Sequence, residues 1–231
     1  MTEKIGEVCL NLDCYDGEDL YSDGDVEEEL LDIVKHNSAD RFPALIRERA
    51  KWPILYHLSE QRENIIDWFP MKEGASLQEV GARCGAVTGA LVRMASRVVA
   101  NDLSKRRSLI NAWRHREAKN LELAVGNFNR VSEMLTEKFD YVTLIGVLEY
   151  APSYMAGEDP FGTFLEKING LLKPDGEILI AIENRLGMKY FAGCREDHVG
   201  RAFEGIEGYP GTDSVQTFSR AELERLFEEK G

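Results

Sequence analysis

The sequence predicts an α/β protein built on a parallel β-sheet, and three observations carry that prediction. From about residue 76 onward, short apolar runs alternate with helix-length stretches joined by short loops, the order of repeated strand–helix–strand units. The clearest of these units runs from Ser76 to Asp102: an apolar strand, a glycine-rich turn, a helix, a second apolar strand and then an acid. A chain of 231 residues with 43% apolar content can bury one large domain, or one domain with an appendage.

Taken in order, the short apolar stretch 7–12 reads as a strand. Residues 27–36 read as a helix, because Leu30, Leu31 and Val34 are spaced for one face. Residues 41–51 and 54–68 read as helical stretches broken by Pro43 and Pro53. Strands follow at 76–80, 97–100, 121–125, 141–145 and 177–182, with helices between them at 88–95, 104–116, 131–137 and 160–172. Pro174, Asp175 and Gly176 read as the turn before the last strand. Residues 219–230 read as a closing helix opened by Ser219 and Glu222 in a capping box. The chain thus divides into an acidic arm and helical cap at 1–70 and a sheet domain at 71–231.

The turn after the first of the five strands carries Glu79, Gly81, Gly85 and Gly89, and Asp102 follows Glu79 by 23 residues. Glycines let a backbone come close to a ligand, and an acid at the neighbouring strand's tip can take both hydroxyls of a ribose. This arrangement suits an adenosine-type ligand. A dinucleotide fingerprint starting at Gly81 would need glycine at 83 and 86, where Arg83 and Ala86 stand. A phosphate-cradling loop needs Gly-Lys-Ser/Thr, which the chain lacks.

At these residues the chain resembles the class I S-adenosylmethionine-dependent methyltransferases, whose first motif is E/D-x-G-x-G-x-G. Glu79, Gly81 and Gly85 match its first, second and last positions, and Arg83 replaces its middle glycine. An arginine fits there if its side chain points away or its φ stays negative. The resemblance extends over roughly 75–185 and implies a Rossmann-like sheet of strand order 3-2-1-4-5, with S-adenosylmethionine as cofactor. It implies cofactor contacts from Glu79, Gly81, Ala82, Arg83 and Gly85 in the turn, and from Asp102 and Leu103 at the ribose. Asn127 and Phe128 fall where the adenine would lie, with a plain turn asparagine as the other reading, and Gly146 and Val147 fall beside the methionine half. The family's usual sixth and seventh strands have no counterpart before Gly231, so a shortened or truncated member is expected. The fifth strand, EILIAIE, is then a long apolar edge that the 7–12 segment or a second copy in a homodimer should cover.

Methyl transfer needs the acceptor aligned with the methyl group, and a base only where the acceptor must lose a proton. Glu149, just past the fourth strand, is the first candidate base. His198 is the second, in the long loop 189–211 with Arg195 available for an anionic group. The bland readings are a capping or ion-paired carboxylate and a solvent-facing histidine. His115 lies in a basic run, 106–119, that reads as the wet face of a helix. The helical region 27–70 reads as a lid, with Tyr56, His57 and Arg62 the residues of interest.

Composition narrows the partners. Residues 1–32 hold twelve acids and one base, Lys4, so −11 of the net −13 belongs to the N-terminal arm. The arm reads as a solvated segment running into a helix, or as a lid or docking surface for a basic partner. The chain has no basic surplus for a nucleic-acid backbone. Nor does it have a long apolar run for a membrane span or a leader-like N-terminus. Cys9, Cys14, Cys84 and Cys194 are scattered and form no metal motif, which suits a reducing cytoplasm. After the fourth strand stands Gly146-Val147-Leu148-Glu149-Tyr150 rather than the Asn/Asp-Pro-Pro-Tyr of amine methylation on nucleic acids, and no Pro-Cys pair occurs. A small-molecule or carbohydrate acceptor methylated on oxygen is therefore expected. Segments 52–70 and 182–193 resemble uncharacterised bacterial methyltransferases associated with surface-polysaccharide synthesis. The alternative is a non-catalytic binding module that uses its acidic arm.

Overall fold

The computed structural model describes residues 1–19, 22 and 24–230; Leu20, Tyr21 and Asp23 of the acidic arm, and Gly231, lie outside the described residues. The five expected strands form and lie side by side: β3 (Ser76–Val80), β4 (Arg97–Asp102), β5 (Leu121–Gly126), β6 (Phe139–Ile145) and β7 (Leu172–Ala181). Two strands precede them, β1 (Thr2–Ile5) and β2 (Val8–Cys14). The sheet order is β1-β2-β5-β4-β3-β6-β7. Every neighbouring pair is parallel except β1 with β2. The expected 3-2-1-4-5 core is present, extended beyond β5 by two N-terminal strands.

Helices cover both faces, as a parallel sheet requires. They are α1 (Val26–His36), α2 (Phe42–Arg49), α3 (Trp52–Leu58), α4 (Thr88–Met94), α5 (Lys105–Arg114), α6 (Phe128–Met134), α7 (Ala151–Tyr154), α8 (Pro160–Asn169), α9 (Met188–Phe191) and α10 (Arg220–Lys230). Successive strand residues point to opposite faces and build two cores. Leu77, Val98, Ala100, Leu121 and Leu123 pack with Ala90 and Leu91 on one face. Val80, Val99, Val142 and Leu144 pack with Phe164, Leu165 and Ile168 on the other. A third cluster joins Leu30, Ile33, Phe42, Leu45, Ile54 and Leu58 of the cap to Cys84 and Ile110. The cap is therefore packed against the glycine turn and α5.

Several expectations are corrected. The 7–12 segment does not cover the fifth strand: β2 pairs with β5, at the opposite edge. Its partner β1 was not foreseen, and both strands share one sheet with residues beyond 71, so the boundary at 70 separates no sheet. Pro43 and Pro53 start helices rather than break them, because each stands in a first turn, where proline's missing N–H costs nothing. The 54–68 stretch divides into α3 and a 3-10 helix at Glu60–Ile65. The expected 131–137 helix starts three residues earlier, where Asn127 accepts a hydrogen bond from the Asn129 amide and caps it. Pro174, Asp175 and Gly176 do not precede the last strand but bulge within it: Phe139 and Tyr141 face Leu172 and Glu177. The capping box forms, Ser219 N and Oγ both donating to Glu222 at 2.8 and 2.6 Å.

The acidic arm has an internal use. Its α1 lies against the basic α5. Glu27, fully buried, takes Arg107 Nε at 2.7 Å, and Glu28 pairs with Arg106 at 3.0 Å. Asp19 accepts the Lys105 and Arg106 amides at the start of α5, where a carboxylate is favoured. The run 106–119 is thus largely a docking face and not a wet one. Glu27→Ala would leave a buried guanidinium without this partner, so a stability loss of about 3 kcal/mol is expected in urea unfolding; a loss under about 1 kcal/mol would show the pair to be incidental.

Candidate functional site

The turn between β3 and α4 is held by strand tips on both sides. The Gly81 and Ala82 amides both donate to Asn101 O at 2.9 Å. Gly81 has φ +72, and a Cβ there would lie 2.5 Å from Val147 Cγ2, so only glycine allows β3 and β6 to open at this point. Arg83, in place of the motif's middle glycine, adopts φ +51, so of the two conditions set for an arginine there the negative φ is not the one met. Its amide donates to Asp102 Oδ2 at 2.7 Å, and its guanidinium donates to Gly146 O at 2.8 Å and Tyr56 Oη at 2.5 Å. The side chain neither leaves the turn nor fills it; it ties the turn to β6 and to the cap.

Asp102 stands at the carboxyl end of β4 and also accepts the Ser104 amide at 2.9 Å. Ser104 itself caps α5, its Oγ accepting the Arg107 amide at 3.2 Å. Each carboxylate oxygen holds one amide and keeps a second lone pair. Burial raises the Asp102 pKa, against the two amides and Arg107 and Arg83.

A hollow of about 770 Å³ opens here, and eight of the expected cofactor residues line it: Gly81, Arg83, Asp102, Leu103, Asn127, Phe128, Gly146 and Val147. Tyr150, Met155 and Phe164 add apolar wall, and Phe128 meets Phe164 edge-on at 5.2 Å. Asn127 caps α6 and lines the hollow as well, so both of its readings hold. A second hollow of about 360 Å³ shares Val80, Gly81 and Arg83 with the first and adds Glu79, Ala82, Tyr56, His57 and Arg62. Arg62 lies over the Tyr56 ring at 4.0 Å, and its buried Nε finds no hydrogen-bond partner. Gly85 touches neither hollow; it sits against Asn111 and His115. His115 faces inward, its Nε2 3.0 Å from Gly85 O, and burial beside Arg114 pushes its pKa down to about 3.

Glu79 supports the turn from behind. Its Oε2 accepts Thr88 Oγ1 at 2.6 Å, and burial pushes its pKa up to about 8 against that bond, with Asp102 adding to the rise.

Glu149 and His198, far apart in sequence, come together. Glu149 is 1% exposed, in a 3-10 turn after β6. Its Oε1 lies 3.7 Å from His198 Nε2, and its Oε2 is buried without a partner. His198 Nδ1 is 2.7 Å from Glu196 Oε1, and Tyr150 meets the ring edge-on at 5.3 Å. Burial opposes the charged ring, but Glu149 and Glu196 outweigh it and raise its pKa to about 9. His198 is thus held between two carboxylates and does not face solvent. The loop that carries it is ordered by Glu196, which also takes the His198 and Val199 amides and Tyr209 Oη. Arg195 is exposed and turns to Gly200 O. Sequence reasoning passed over Glu196 and Glu183. Their available signals were a carboxylate two residues before the candidate histidine and one just past the carboxyl end of β7.

Residues 78–178 match a family model described as a methyltransferase domain. A search of curated proteins finds no match. Among solved structures, a Haloferax volcanii methyltransferase in complex with the Trm112 methyltransferase activator is 21% identical, with TM-score 0.51, covering 84% of this chain and 76% of its own. DhpI, solved with SAH, is 18% identical, with TM-score 0.52 over 91% and 89%. Phosphoethanolamine N-methyltransferase 1 of Haemonchus contortus, solved with phosphoethanolamine and S-adenosylhomocysteine, is 16% identical, with TM-score 0.52 over 81% and 39%. These likenesses show a shared fold. The match over residues 78–178 supports a methyltransferase domain in this part of the chain. Among the described residues no helix is long and apolar enough to cross a membrane.

The Glu79 shift sets a pH dependence. Its folded pKa lies above the ordinary 4.5, so its contribution to stability is complete below that value and is lost as pH rises toward about 8. Glu79→Gln should flatten the fall in the urea midpoint between those limits; parallel profiles for the two proteins would refute the shift.

Proposed function

We propose that the chain transfers a methyl group from S-adenosylmethionine to an oxygen of a small-molecule or carbohydrate acceptor. The observation that carries this reading is the placement of Glu149, a buried carboxylate with an unpartnered oxygen, beside the cofactor hollow. A Cβ on Gly146, which lines that hollow, would lie 3.4 Å from Glu149 Oε1. The residues fit the cofactor. Asp102 keeps lone pairs for two ribose hydroxyls, while Leu103, Asn127 and Phe128 border space for a flat base. The unsatisfied Arg62, with Arg83 and Tyr56, suits an amino-acid carboxylate in the second hollow.

S-adenosylmethionine, when bound, supplies a methyl group already activated on a sulfonium. The chain's part is to align the acceptor, exclude water and receive a proton. Glu149 receives the proton of the acceptor hydroxyl. His198, 3.7 Å away, positions that carboxylate. A hydroxyl acceptor needs such a base. The resemblance of 52–70 and 182–193 to polysaccharide-associated bacterial methyltransferases supports a carbohydrate. Against the alternative of a binding module stands the engagement of Asp19, Glu27 and Glu28 of the arm by α5.

Calorimetry tests the cofactor assignment: S-adenosylmethionine should bind at micromolar strength or better, and Asp102→Ala should weaken it at least about tenfold, the loss of two charge-assisted hydrogen bonds. An unmodified chain that shows no binding would overturn the proposal. For assembly, we propose that a second copy adds to the outer edge of β7, where among the described residues no strand pairs. Sedimentation should show a dimer, and a monomer at every concentration would exclude that edge as an interface.

A further inference from the structure

We infer that Glu149, Glu183 and His198 form a binding site for one first-row divalent cation beside the reacting end of the cofactor hollow. One ligand atom from each residue can be chosen so that all three lie within 4.8 Å of one another. They arrive from three places that only the fold unites: the turn after β6, the tip of β7, and the ordered loop beyond α9. All three are at the carboxyl end of the strands, where sheets of this kind do their chemistry.

Four observations favour a cation over a simple ion-pair cluster. The Glu149 Oε1 to His198 Nε2 separation, 3.7 Å, is too long for a hydrogen bond. It is close to the spacing of two atoms on one ion, since bonds of about 2.1 Å at tetrahedral or octahedral angles place neighbours about 3.0–3.4 Å apart. Oε2 of Glu149 and Oε2 of Glu183 are both buried without a hydrogen-bond partner. A buried carboxylate in that condition is costly unless a positive group completes it. Finally, His198 Nδ1 is held by Glu196 at 2.7 Å, which directs Nε2 toward Glu149 and Glu183, and a bound cation would take the place of the Nε2 proton, which is released to solvent. An outer carboxylate on the far ring nitrogen is the usual support of a metal-bound histidine. One imidazole and two carboxylates suit Mn2+ or Zn2+ better than Mg2+.

The ligand set rests on geometry alone; its use in the reaction rests on the function proposed above. There the cation would leave positions for acceptor oxygens, which favours a carbohydrate or polyol hydroxyl over an amine. The test keeps the two apart. Mn2+ alone is titrated into the full chain and followed by electron paramagnetic resonance, with S-adenosylmethionine calorimetry run on the same samples. The expected result is one Mn2+ per chain at micromolar strength. Glu183→Gln, at a half-buried position, and Glu196→Gln should each weaken Mn2+ about tenfold or more. Cofactor binding should be retained in Glu183→Gln. No Mn2+ binding up to about 1 mM, or binding that Glu183→Gln leaves unchanged, would overturn the site even if the cofactor binds normally.

Discussion

The arrangement depends on a single carboxylate. Asp102 receives the Arg83 amide on one oxygen and the Ser104 amide on the other. The first bond holds a non-glycine residue at positive φ, a conformation that costs an L-residue free energy and persists only where its surroundings impose it. The second leads directly into the cap of α5. With the tips of β3 and β4 fixed in this way, the Arg83 side chain has one route outward, past Gly146 to Tyr56. That side chain borders the hollow and ties β6 and the cap to the turn.

Much of the sheet was legible because parallel strands carry their signal locally. Residues 76–80 were found to the residue and the other four by their apolar centres, because β3 to β6 are buried on both faces and β7 keeps an apolar run after its turn residues. The N-terminal edge was not legible to the same degree. β1 is short and polar, TEKI, and only its pairing with β2 makes it a strand. Which edge β2 would join is a long-range choice that its own residues do not encode. The turn Pro174–Gly176 misled for a similar reason: its local chemistry is that of a turn, and the ladder to β6 absorbs it as a bulge.

The site shows the same division. Eight of the eleven expected cofactor residues line the main hollow, since the motif positions follow from strand ends that the sequence marks. Glu79 and Ala82 face the adjoining hollow, and Gly85 packs behind the turn. Glu149 and His198 were singled out separately, for being past a strand and in a long loop. Their meeting depends on Glu196, Tyr209 and Thr217 folding residues 189–217 back onto β6. No spacing in the sequence reports that fold-back.

Arg107 belongs to two structures at once. It is the buried partner of Glu27 in the N-terminal arm, and it borders the hollow that Asp102 anchors. A guanidinium so placed couples the seating of the arm thermodynamically to whatever occupies the hollow, and such coupling is reciprocal: a ligand that favours one position of Arg107 tightens the arm, and a docked arm favours that ligand by the same factor.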